Sequence, residues 1–241
     1  MKSDQPPEAE GGPGRLLRTV RRPGQFTILL IAILCFLVIP PFFINYTSTG
    51  VLASLFLSML LLSVLYVFPR RREFLFACAL AVPTIAGRWV LTFHQGEALV
   101  FFVVTCWIVF LGMTVVAILT QVLSETRVTN DTISGAVCGY LLFGIMCAFL
   151  YAIVELLYPG SYIIDGKLIH PELGRFYYQH EISTLIYYSL VTLATVGYGD
   201  IAPVTMPARV LAALEAIAGQ FYIAVLIARL VSIRYSRWGG E

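Results

Sequence analysis

The sequence predicts an all-α integral membrane protein, with six transmembrane helices and one shorter helix that enters the bilayer and turns back. Three observations lead there. Of 241 residues, 59% are hydrophobic and 12% charged, with a mean hydropathy of +0.83. A soluble domain carries about 25% charged residues, so this chain has too little polar surface to cover a water-soluble globule. The apolar residues also fall in runs of about 20, the length a helix needs to cross the hydrocarbon core. One further run is too short to cross. It leads into Thr195-Val196-Gly197-Tyr198-Gly199-Asp200, where glycine alternates with larger residues.

Taken in order, residues 1–25 are rich in Pro, Gly and charge and read as a disordered basic cytoplasmic N-terminus. Each of Arg15, Arg18, Arg21 and Arg22 adds about 1 kcal/mol of attraction to anionic lipid heads when held near the surface. The apolar run that follows is too long for a signal-peptide core and lacks a small-residue cleavage site. Runs at 26–45, 50–68, 73–93 and 97–121 make a four-helix transmembrane domain, residues 26–121. Residues 122–131 form a cytoplasmic linker, in which Thr129, Asn130 and Asp131 are good helix caps. A two-helix module at 132–234 holds a helix at 132–157, the short run at 182–194, and a last helix at 206–233. Residues 235–241 form a short cytoplasmic C-terminus with no room for a nucleotide- or calcium-regulated domain.

Pro40, Pro41 and Pro83 each remove a backbone donor and should kink a helix or mark its end. Gly135 and Gly139, four apart, allow close helix approach. Trp89 and Trp238 fall near interfaces, where an amphipathic ring is at home, whereas Trp107 falls mid-helix without an evident role. Cys35, Cys78, Cys106, Cys138 and Cys147 all lie in apolar runs without metal-type spacing, and read as small buried hydrophobes.

Orientation follows from the basic residues, which favour the cytoplasmic side. With the N-terminus inside, twelve of the 16 lysines and arginines are cytoplasmic. Lys167, Arg88, Arg175 and Arg209 are external. Pro69-Arg70-Arg71-Arg72 is a strong inner anchor. The same orientation makes the 195–200 segment enter from outside.

That segment is the candidate site. Glycine visits positive φ without a Cβ penalty, so Gly197 and Gly199 let a short extended stretch turn successive carbonyls the same way. Several such ladders around one axis would stack rings of oxygen able to replace a cation's hydration shell, with the Thr195 hydroxyl adding one more ring. The stretch matches the TVGYGD pattern of potassium-channel selectivity filters at every position. Residues 132–234 resemble that family's pore domain, in the order outer helix, turret, pore helix 182–194, filter 195–200 and inner helix. The whole plan is similar to bacterial potassium channels with four preceding helices.

The resemblance implies a tetrameric pore architecture, with K+ coordinated by Thr195, Val196, Gly197, Tyr198 and Gly199. It implies that Asp200, Tyr187 and Tyr188 support the filter, with aromatic rings holding its diameter and Tyr187 within reach of Asp200. Some family members place a carboxylate four residues before the filter threonine; here Val191 stands there. Gly219, 24 residues after Thr195, matches the family's gating-hinge glycine, or serves close packing. Glu215 is a costly carboxylate within a span; it either hydrogen-bonds behind the pore helix or faces the cavity. Gln220 is a candidate cavity-facing polar residue. Glu155 could brace the pore region, and the turret residues Asp165, His170, Glu172 and His180 read as a solvated loop.

Residues 97–121 hold no lysine or arginine, so the regular arginines of a voltage sensor are missing and opening should depend little on voltage. The reading is a passive, potassium-selective homotetramer in the cell membrane, with self and membrane lipids as partners, K+ as the permeant ion, no organic cofactor and no nucleic acid. The alternatives are a potassium-transporter subunit or a non-conducting sensor that keeps the fold. No phosphate loop, metal motif or nucleophile arrangement points to an enzyme.

Overall fold

The computed structural model describes residues 24–42, 58, 64, 68, 71–93, 96–125, 128–164, 167, 168 and 177–235. Its elements are α1 (Gln25–Phe42), α2 (Arg71–Phe93), α3 (Glu97–Ser124), α4 (Asn130–Leu157), β1 (Tyr162–Ile164), β2 (Lys167–Leu168), α5 (Tyr177–Leu193), β3 (Ile201–Pro203) and α6 (Met206–Tyr235). Four helices among the described residues are long and apolar enough to cross a membrane: the spans run Phe74–Leu91, Ala98–Ser124, Asn130–Leu157 and Met206–Arg229. The predicted helix at 50–68 lies outside the described residues except for Ser58, Val64 and Phe68. The N-terminus 1–23 and Trp238 also lie outside them.

The boundaries show where local chemistry overrode hydropathy. The linker is shorter than 122–131. Gln121–Ser124 contains no helix breaker, so α3 runs on to Ser124. At the other side Thr129 and Thr132 form a reciprocal capping box, and α4 begins at once with Asn130. The short helix starts at Tyr177, five residues before the apolar run, because its first turn is polar and hydropathy does not register it. Hydropathy also missed a small antiparallel sheet in strand order β2-β1-β3, with Ile164 opposite both Lys167 and Ile201. Pro203 lies on the edge strand β3, where a missing backbone donor is tolerated.

The threonine hydroxyls of α3 are satisfied locally. Thr105 donates to Phe101 O, Thr114 to Phe110 O and Thr120 to Val116 O, at 2.8, 2.8 and 2.9 Å. Each is the one-turn-back bond that lets a threonine sit in an apolar helix. All five cysteines are free thiols, three of them buried. Trp107 is buried and stacks on Phe149, centroids 5.1 Å apart.

Helix α4 is the hub. α1, α3, α5 and α6 all contact it, and its glycines are the seats. A Cβ at Gly135 would stand 2.8 Å from the Phe26 ring, and one at Gly139 would stand 2.6 Å from the Tyr222 hydroxyl. The pair spaced four apart thus admits side chains from two different helices. Asp131 lies in the first turn of α4, whose N-cap is Thr129. Its Oδ1 accepts from the backbone N–H groups of Phe26 (3.1 Å) and Thr27 (3.2 Å). These are orphan donors in the first turn of α1, so α1 takes its N-terminal cap from α4. Replacing Asp131 by Ala should cost about 1 kcal/mol, the usual worth of a cap, seen as a lower thermal midpoint of the purified protein in detergent.

Candidate functional site

Helix α5 ends in a defined cap. The N–H of Val196 bonds to Val191 O and that of Thr195 to Thr192 O, both at 2.9 Å. This paired closure is the Schellman pattern, which needs a left-handed residue just past the helix. Here that residue is Thr195, with φ +56°. A β-branched residue in this region is strained, by about 1–2 kcal/mol. The two further positive φ values in the segment fall at Gly197 (+59°) and Gly199 (+82°), with Val196 and Tyr198 between them outside that region. The handedness of the backbone therefore alternates residue by residue from 195 to 199. Neither glycine has an atom within 4 Å of where a Cβ would stand, so it is conformation and not crowding that calls for glycine there.

Both ends of the segment are held. At the helix end, the Tyr140 hydroxyl donates to Leu193 O at 3.0 Å. Gly219 presses on the same carbonyl: a Cβ there would stand 2.7 Å from both Leu193 O and a Leu193 methyl. The structure thus gives Gly219 a close-packing role against the end of α5. Gln220, the next residue, is exposed and donates to the Thr195 hydroxyl at 3.3 Å. At the far end, Tyr187 donates to Asp200 Oδ2 at 2.8 Å, and β3 pairs with β1 immediately after Asp200.

The sheet is itself anchored. Glu155, buried at the end of α4, accepts from the N–H groups of Gly160 (2.7 Å) and Ser161 (2.9 Å). Ser161 then accepts from Val204 N through its carbonyl and meets Thr205 through its hydroxyl, both at 2.8 Å. Tyr188 does not line the segment. It is buried in a triangle with Tyr151 and Tyr162, with centroids 5.0 to 5.7 Å apart at tilted or edge-on angles, the geometry that aromatic rings prefer. Burial first, then the neighbouring Tyr188 and Glu155, pushes the Tyr162 phenol above its ordinary range, so it stays neutral.

Glu215 sits behind α5. It is 2% exposed and receives hydrogen bonds from the Tyr151 hydroxyl on α4 and the Ser189 hydroxyl on α5. Ser189 is also within 2.6 Å of Gly144 O. One carboxyl group thus joins the outer helix, the short helix and the inner helix. Of the turret residues, Asp165, His170 and Glu172 lie outside the described residues. Tyr140, Tyr151, Ser161 and Ser189 went unremarked in the sequence. Their partners lie 44 to 64 residues away, except for Ser189 and Glu215, so no local pattern marks them.

Residues 140–234 match a family model described as ion channel. The match covers less than half of the chain, and it takes in the whole arrangement from Tyr140 through α6. It supports an ion channel in a membrane, a class that is typically not enzymatic. No curated protein and no solved structure matches the chain.

Ser189 carries one hydrogen, so it cannot donate to Gly144 O and Glu215 together. An amide at 215 would supply the missing hydrogen and still accept from Tyr151. Glu215→Gln should therefore be tolerated. Glu215→Ala, which strands the buried Tyr151 hydroxyl while Ser189 keeps Gly144 O, should cost about 1–3 kcal/mol. Thermal unfolding of the two variants in detergent measures the difference.

Proposed function

We propose that the chain forms a homotetrameric potassium-selective channel, in which K+ passes single file and without energy input through the segment Thr195–Gly199. The observation that carries this reading is the alternation of backbone handedness at 195–199, inside the stretch that matches the ion-channel model. Alternation of this kind turns successive peptide planes the same way, and a carbonyl ladder facing one side is what a dehydrated cation needs. Gln220, Thr195 and Tyr198 are exposed on one copy, Tyr198 at 70%. Polar groups within a span face a bundle interior or a water-filled path, which four copies around this segment would supply. The C-terminal end of α5, equivalent to about half a negative charge, would favour a cation there. Asp200 and Tyr187 would hold the outer rim, Glu215 and Tyr188 the back of the pore helix.

The test is recording from the purified protein in planar bilayers, with K+ on one side and Na+ on the other. The reversal potential should lie close to that of a K+-selective pore. Gly197→Ala should abolish the selective current, because alanine at positive φ costs about 1–2 kcal/mol in each copy. Equal passage of the two ions, or saturating flux that requires a coupled ion, would overturn the reading. No lysine or arginine occurs in α3 (Glu97–Ser124). Open probability should accordingly stay nearly flat across a wide voltage range, and a steep, saturating activation curve would contradict it.

A further inference from the structure

An apolar groove of about 450 Å³ runs between α3, α4 and α6, its walls formed by residues such as Gly112, Val116, Leu123, Met146, Phe221 and Val225. This is within the range of about 300–1,000 Å³ in which ligand sites fall. The polar side chain in its lining is Tyr222, whose hydroxyl is already donated to Ala136 O at 2.6 Å. The groove turns away from the ion path. At 3.6 residues per turn, Phe221 and Val225 of α6 fall on the side of the helix away from Gln220, the residue that bonds Thr195.

Its length and its mouth suggest an occupant. From Gly112 to Leu123 the groove follows α3 for about 16 Å at 1.5 Å per residue, about half of a 30 Å hydrocarbon core and so one leaflet deep. It ends at Leu123, beside the last residue of α3, where Arg229 of α6 donates to Leu123 O at 3.0 Å. Arg229 is exposed. A guanidinium has five N–H donors and grips phosphate through two at once. An apolar channel one leaflet long with an arginine at its interfacial end fits one chemistry, an anionic phospholipid.

We propose that this groove binds one anionic phospholipid per chain, its tail along α3 and its phosphate on Arg229. The site does not depend on which ion the pore selects. The test is native mass spectrometry of the full chain in detergent, supplied with equal amounts of phosphatidylglycerol and phosphatidylcholine. Phosphatidylglycerol should be retained preferentially, up to one per chain. Arg229→Gln should reduce its retention about fivefold, as loss of one basic group at an anionic surface would, and leave phosphatidylcholine unchanged, whereas Arg229→Lys should keep much of the preference. Val116→Trp changes an exposed residue (60%) and fills the groove, so it should lower retention of both lipids with the thermal midpoint unchanged. Equal retention of the two lipids by the unmodified chain would overturn the proposal. So would unchanged retention by Arg229→Gln, or a cross-link from Val116→Cys to a neighbouring copy, which would seat a second chain in the groove.

Discussion

A main chain that leaves the helix between two segments apolar enough to cross a membrane needs partners for its N–H and C=O groups, and lipid would offer none. Residues 194–200 are such a chain, and much of the surrounding architecture can be traced to their support. The helix end before them closes on itself through Val196 and Thr195 and borrows the Tyr140 hydroxyl for Leu193 O. The strand after them pairs with β1, which Glu155 fixes to the end of α4. The left-handed threonine at 195 is strained, and such strain persists only where the surroundings over-determine it. Here the helix cap, the carbonyl seated against Gly219 and the Gln220 bond surround it.

Behind this segment the protein uses polar groups sparingly, each shared among elements. Glu215 is the clearest case, with α4, α5 and α6 meeting at one side chain. Removing one partner from a buried polar group costs more than the bond contributes, so the three helices are locked in a common register there. The glycines set the spacing. Gly144 and Gly219 let α5 settle against α4 and α6, because a Cβ at either would stand 3.0 Å or less from α5 atoms. In close-packed interiors such gaps have no slack.

The outer part of the chain is joined to this core by the same economy. α1 is capped by Asp131 of α4, and α3 lies along α4 with Trp107 stacked on Phe149. Arg229 carries the contact between the inner helix and the end of α3. A carbonyl at a helix C-terminus is unsatisfied and partly negative, so it is a natural seat for that guanidinium.

Composition and local pattern determined a good deal here. Low charge and runs of apolar residues specify spanning helices, because hydrocarbon leaves no other economical solution. Gly197 and Gly199 announced positive φ, because that conformation is local and cheap only without a Cβ. Thr195 did not announce itself, since its left-handed turn comes from the cap that follows α5 and the contacts around it. Whether Glu215 faced a cavity or hydrogen-bonded behind α5 was likewise open in the sequence, because both placements suit the same helix. Tertiary structure decided it: Tyr151 and Ser189, 64 and 26 residues away, converge on the carboxyl group only when three helices have packed.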